Sequence, residues 1–280
     1  TKSGSDFSIT VTHDFVQSGG QTTANSSTLT VGNSFTADAT DSSTGYQAAT
    51  LVMTGTGTLT YTNIPAGLLA GRGFRNLIVG QSGNTTTATN GFSVMGTLTV
   101  GSGTFTSSGG YTNIYVNSSV LNSLAVNTTS TISVSKLTYY NGAGGAQNLP
   151  SLTNGYDTNI LIGGVGNLIN QTGNVTLNGT HKLILNGDSN ANRAVTYNTN
   201  GFDLVVGGDI IVGAGNDTAL KTFDGTNSTI TIGGDFIVND VGIGTQQAVF
   251  TATGSTVILN GSNQSLNGSI TFNNLTKSVT

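Results

Sequence analysis

The sequence predicts an all-β protein wound as a β-solenoid, a stack of short coils, and three observations predict it. Apolar residues alternate with polar ones at period two along almost the whole chain. A strand-corner-strand motif returns at near-constant spacing. The polar residues are nearly all neutral Ser, Thr, Asn and Gly.

The strand-corner-strand motif occupies 8–16 and returns over 28–36, 97–105, 204–212 and 230–238, opening once more at 255–261. Its clearest copies are Leu204-Val205-Val206-Gly207-Gly208-Asp209-Ile210-Ile211-Val212 and Ile230-Thr231-Ile232-Gly233-Gly234-Asp235-Phe236-Ile237-Val238. In the second, Ile230 and Ile232 share one face while Thr229 and Thr231 take the other, as a pleated strand requires. Gly208 and Gly234 mark the corners, where glycine tolerates a positive φ, and their spacing of about 26 residues suits a solenoid repeat.

A second motif is aromatic-x-Asn-aliphatic. It carries Asn63 after Tyr61, Asn76 after Phe74, Asn113 after Tyr111 and Asn274 after Phe272, with Asn159 in a shifted copy behind Tyr156. Asn recurring at one place in a coil predicts stacked amides that satisfy one another. No long period of 3.6 residues appears, and the stretches around 80–91, 140–156 and 186–200 are the least regular. At about 24 residues per coil, residues 1–280 form a single solenoid domain of about a dozen rungs, roughly 55 Å long at a rise near 4.8 Å. A β-sandwich is the alternative architecture. It explains neither the recurring corner chemistry nor the neutrality, which avoids columns of like charge.

Composition bounds the function. Charged residues make up 7% of the 280 residues, against about 25% in an ordinary globular domain. Eight Lys and Arg, with a net charge of −4, cannot build the basic patch that nucleic acid requires. No apolar run approaches the roughly 20 residues of a membrane helix. The chain has no Cys, so no disulfide framework supports it. Few Lys and Arg means few tryptic sites, which fits an extracellular or cell-surface location. No basic-then-apolar leader opens the sequence, which reads as a mature or excised segment.

Thr1-Lys2-Ser3 and Thr276-Lys277-Ser278 stand at one phase of the repeat, and no amphipathic helix caps either end. Two explanations fit: a window in a longer repetitive chain, or subunits that stack head to tail through open strand edges. The segment Ser255-Thr256-Val257-Ile258-Leu259-Asn260-Gly261, continuing through Gln264-Ser265-Leu266 to Thr271-Phe272-Asn273-Asn274-Leu275-Thr276, resembles the β-strand repeats of prokaryotic surface proteins. Adhesins of the autotransporter and filamentous-haemagglutinin type carry such repeats. The resemblance implies a right-handed parallel β-helix, export to the surface, and an adhesive or scaffold role.

Catalytic and metal-binding patterns are sparse. Asp203, Asp209, Asp217, Asp224, Asp235 and Asp240 form the one acidic enrichment, with Tyr197 and Phe202 near it. Asp209 and Asp235 hold equivalent corner positions, where Asp commonly bonds turn backbone, so no catalytic residue is assigned and no enzyme is expected. Residues 212–220 resemble one calcium-binding nonapeptide, but such sites need tandem copies. Asp209, Asp217 and Asp235 are the carboxylates that a Ca²⁺ ion would use, and no cofactor is assigned. His13 and His181 without Cys make no transition-metal signature. Asn-x-Ser/Thr sequons include Asn25, Asn84, Asn117, Asn127, Asn174, Asn216 and Asn227.

The expected function is an extracellular filament or surface-scaffold subunit whose partners are identical copies stacked head to tail. The alternatives are an adhesin shaft among adjoining repeats, with a surface glycan or host surface as ligand, and a glycan-active β-helix enzyme. Thr-x-Thr pairs at 28/30, 58/60, 97/99 and 229/231 raise a further option, ice binding; the β preference of Thr explains them more simply.

Overall fold

A computed structural model of the chain describes residues 8–18, 23–38, 47–62, 73–108, 113–116, 121, 123–141, 145–164, 166–186, 194–214, 219–239 and 248–278. The protein is all-β, a parallel β-solenoid. Among the described residues the one helical element is a short 3-10 turn at Gln81–Gly83. The chain divides into two compact units, residues 1–118 with 123–136, and residues 119–122 with 137–280.

In the N-terminal unit, the first sheet stacks Ser8–Val11, Thr23–Val31, Gln47–Met53, Asn76–Val79, Leu98–Val100 and Leu124–Val126, all parallel. The second stacks Phe15–Gln17, Phe35–Asp38, Gly57–Thr62, Thr85–Ala88, Thr104–Ser107 and Thr131–Ser133. Gly73–Phe74, Phe92–Val94 and Asn113–Val116 stack in parallel as a third set of strands. The C-terminal unit has three sheets. Lys136–Asn141, Asn159–Gly164, Leu183–Asn186, Ile210–Ala214, Phe236–Val238 and Leu266–Asn267 form one. Gly145–Leu149, Asn167–Gln171, Val195–Asn198, Lys221–Asp224 and Ala248–Thr251 form the second. Val175–Leu177, Leu204–Val206, Thr229–Ile232, Thr256–Leu259 and Asn274–Lys277 form the third.

Register converts the sequence repeat into columns of side chains. Leu29, Leu51, Leu77, Leu98 and Leu124 lie one above another, each at 3% exposure or less. A Leu buried this completely contributes about 1.5–3 kcal/mol. Beside them Phe15 stacks on Phe35 at 5.4 Å, and Phe74 meets Phe35 and Phe92 edge to face. In the C-terminal unit Tyr197, Phe223 and Phe250 share one inward column, and Phe250 meets Phe236 edge to face at 5.0 Å. The alternation read from the sequence is thus the inside-outside alternation of a coil.

The coil length varies. Equivalent corner residues stand 20 apart from Asp14 to Ser34 and 30 apart from Asp235 to Ser265. Apart from shifts between Ala24 and Thr28 and between Leu185 and Asn186, the strand pairs described above keep register, so most of the extra residues lie in the connections between them.

The corner glycines serve a purpose other than the expected one. Gly208 and Gly234 lie outside the left-handed region. What excludes a side chain there is the coil beneath: a Cβ on Gly208 would sit 2.3 Å from the Thr180 carbonyl oxygen, and one on Gly234 would sit 2.2 Å from Asp209 Oδ1. The same crowding runs along the column Gly179, Gly207, Gly233 and Gly261, where a Cβ on each of the last three would strike the glycine carbonyl below.

Gly233→Ala places a Cβ 2.3 Å from the Gly207 carbonyl oxygen and should cost about 2 kcal/mol or more. Gly83→Ala, with φ +80 and no atom within 4 Å, should cost only about 1 kcal/mol. Urea unfolding midpoints of the two variants check that order.

Candidate functional site

At the corners the N–H groups of Gly207, Gly208, Gly233 and Gly234 still reach backbone carbonyls, while a neighbouring N–H needs another acceptor. Side-chain oxygens supply it. At one corner of the C-terminal unit, Asn159 Oδ1 accepts from the Lys182 N–H at 2.9 Å, Asp209 Oδ1 from Asp235 at 2.8 Å, and Asp235 Oδ1 from Ser265 at 2.7 Å. At a second corner, Asn174 Oδ1 accepts from Asp203 and Asp203 Oδ1 from Thr229, both at 3.0 Å. The N-terminal unit repeats the device with Asp14 Oδ1 accepting from Ser34 at 3.0 Å, and Ser34 Oγ from Thr58 at 3.1 Å. Each corner side chain thus ties its coil to the next.

Asp209 has a second task. Leu183 pairs with Ile210, so Lys182 lies opposite Asp209, and Lys182 Nζ meets Asp209 Oδ2 at 2.5 Å. Partial burial raises the Asp209 pKa, but the Lys182 hydrogen bond, the Asp235 N–H and the Lys182 charge outweigh it and hold the carboxyl below its ordinary 3.8. Of the three carboxylates weighed for calcium, Asp209 and Asp235 are committed to these bonds, and Asp217 lies outside the described residues. No group of three or more His, Cys, Asp or Glu capable of holding a metal occurs among the described residues.

The four predicted ladder asparagines within the described residues fall in different places. Asn76 accepts from the Thr97 N–H at 3.0 Å and donates to Thr50 Oγ1 at 3.4 Å. Asn113 opens a strand, Asn159 forms the corner bond to Lys182, and exposed Asn274 donates to the Ser255 carbonyl at 3.3 Å. Asn63 lies outside the described residues. Among the described residues an amide column stands elsewhere: Asn148, Asn170 and Asn198 are in register on an outward face, continued by Asp224 and Thr251. Its upper members also cap tight turns, with Asn198 Oδ1 accepting from Asn200 and Asp224 Oδ1 from Thr226. The signal for it was present as an apolar residue followed by Asx, in Ile169-Asn170, Tyr197-Asn198 and Phe223-Asp224.

Of the glycosylation candidates, Asn127 is exposed and its Oδ1 accepts from Thr129 N and Oγ1, the hydroxyl residue of its own sequon. Asn84 has its amide nitrogen on the Thr54 carbonyl at 2.7 Å, and Asn174 holds the corner bond to Asp203. Asn227 sits in a left-handed turn with φ 58. Asn25 lies within the strand Thr23–Val31, while Asn117 and Asn216 are outside the described residues.

Two buried polar features were not foreseen. Lys221, 2% exposed, occupies an inward column between Val195 and Ala248 and donates to the Ala219 carbonyl at 2.7 Å. Burial pulls its pKa down. Tyr139, Tyr156 and Tyr197 are fully buried, and their hydroxyls donate to the Asn148 carbonyl, the Pro150 carbonyl and Gln171 Oε1. Burial raises all three pKa values, so these hydroxyls stay protonated structural donors.

No protein-family model, curated protein or solved structure matches this chain.

Asp209→Asn keeps the acceptor for Asp235 N–H and removes the ion pair, whereas Asp209→Ala removes both. The Ala variant should be less stable than the Asn variant by about 1 kcal/mol. The folded Asp209 titrates below 3.8, so its contribution is present above pH 3.8 and lost as the pH falls through the folded value. Melting temperatures between pH 2 and 6 should therefore show a steeper acid decline in the wild type than in Asp209→Asn.

Proposed function

We propose that the chain is a structural protein of the cell exterior, a filament or surface-scaffold subunit that stacks end to end on identical copies. In this reading the coil is right-handed, has about a dozen rungs, binds no cofactor and performs no catalysis. One observation carries it. Ile9 is 46% exposed although its column partner Leu29 is 3% exposed, and Leu275 is 46% exposed although its partner Val257 is fully buried. Leu266, above buried Phe236, is likewise 44% exposed. Everywhere else in these columns a neighbouring coil covers the equivalent residue, and in this reading a coil of a second copy covers these three.

The corner chemistry supports a mechanical role. Its carboxylates and amides are spent on tying coil to coil, which stiffens a rod and leaves the acids at 14, 203, 209 and 235 bonded to backbone. The resemblance to surface-protein repeats supports export.

A second reading, the shaft of a cell-surface adhesin, is favoured by Lys277. It follows Leu259 in an inward column, and its ammonium folds onto the Gly261 carbonyl and Gln264 Oε1. An inward charge opposes indiscriminate pairing of a strand edge. Lys221 is the counterweight, since this fold already houses one lysine at an inward position.

Negative-stain electron microscopy of the full chain at rising concentration, with trypsin in parallel, separates the readings. The filament reading expects long uniform fibres that resist trypsin, and expects Leu275→Asp to reduce them to short rods. Dispersed rods at every concentration overturn it in favour of the shaft.

A further inference from the structure

The second sheet of the N-terminal unit presents an ordered array that the proposed scaffold role does not use. Thr85–Ala88, Thr104–Ser107 and Thr131–Ser133 pair in parallel with no register shift. Thr85, Thr104 and Thr131 form one outward row, and Thr87, Thr106 and Ser133 form the next. The alternate residues Thr86, Phe105 and Ile132 are 0–1% exposed, which fixes the direction of the rows. Thr58, in register with Thr87, extends the second row by one coil.

The chemistry of the array is uniform. Each position offers a hydroxyl, and every one but Ser133 adds a methyl. Hydroxyls repeat at about 6.6 Å along a strand and about 4.8 Å between strands. β-Branched side chains have restricted χ1, and Thr106 Oγ1 is held further by donating to the Ser133 carbonyl at 3.1 Å. The ordering of these groups is accomplished on folding. Neither row contains a charge or an aromatic ring.

A two-dimensional periodic array recognises a surface that is itself periodic. The two repeats lie near those of the oxygen lattice on the prism faces of hexagonal ice. Neutrality suits a lattice of water molecules, whereas a polyanion calls for Lys and Arg. Glycans commonly bind through aromatic platforms, which these rows lack. We propose that this face binds ice, through water molecules ordered on the hydroxyls and methyls of the two rows.

The Thr-x-Thr pairs conspicuous in the sequence are not this array. Thr28, Thr30 and Thr99 lie on the first sheet, where Val52 and Ile78 interrupt the outward row of Thr30 and Thr99 and Asn76 interrupts that of Thr28, and Thr229 and Thr231 belong to the C-terminal unit. Only Thr58 and Thr60 lie on the proposed face.

The test measures thermal hysteresis, ice-crystal shape and partition into growing ice for the full chain. Thr106→Lys and Thr87→Lys are compared with Thr222→Lys, an outward site on the second sheet of the C-terminal unit. Circular dichroism confirms that each variant folds. The wild type should shape ice and enter it. Either lysine in the rows should lower the hysteresis about tenfold or more, as a central contact does, while Thr222→Lys leaves it unchanged. A wild type without ice activity overturns the proposal. So do equal losses in all three variants, and so does retention on microcrystalline cellulose or chitin without partition into ice.

Discussion

Every described strand in this protein bonds to the equivalent strand of the coil before or after it, and that parallel ladder is the constraint on which the other features depend. A rise of about 4.8 Å per coil brings equivalent side chains into contact, so each position selects what can stack on itself. Apolar residues stack at a gain, which yields the Leu29 to Leu124 column. Amides and hydroxyls stack by exchanging hydrogen bonds. Carboxylates in sequence repel, and the fold admits them where a backbone N–H or an ammonium faces each one, as at Asp235 and Asp209. The neutral composition follows from the ladder.

At the corners individual N–H groups of the ladder take a side-chain oxygen in place of a backbone carbonyl. Asn, Asp and Ser serve there because each has an oxygen one or two bonds beyond Cβ, the reach needed to meet the N–H of the next coil. Because the corners carry their own bonds, connections of different length can leave the coil without disturbing the strands that follow. Pairing slips by a residue or more in only a few described places, such as between Leu185 and Asn186. Within each unit the stack is held by many small, repeated contacts, each side chain acting on its two neighbours. That character is quasi-one-dimensional, since each coil meets the same columns as the one before it.

Much of this was legible in the sequence. Period-two alternation placed Ile230 and Ile232 inside and Thr231 outside, and the repeated Gly-Gly-Asp placed Asp209 and Asp235 at equivalent corners. The role of the glycines was misread, because turn chemistry and close approach both select glycine and only coordinates tell φ from a contact. The ladder asparagines were sought behind aromatic residues, where the motif was conspicuous. The amide column instead follows the inward residues of one sheet, at spacings that vary with loop length and so hide its period. Lys221 carried no signal, since a lone lysine in a strand reads as an outward residue until register puts it in a column with Val195 and Ala248.

The sequence by itself determined that this chain is built of β strands, that it repeats, that its polar residues are nearly all neutral, and that no disulfide supports it, because these follow from composition and local periodicity. Only the tertiary structure decided which residues share a column. Coils of unequal length bring together residues 18 to 30 positions apart, as in Val257 with Leu275 and Phe236 with Leu266. That variation decides whether a Thr belongs to a continuous hydroxyl row or stands alone, and whether an Asp meets a lysine or an N–H. Register between coils is a long-range property set by hydrogen bonding across the stack, and no local pattern specifies it.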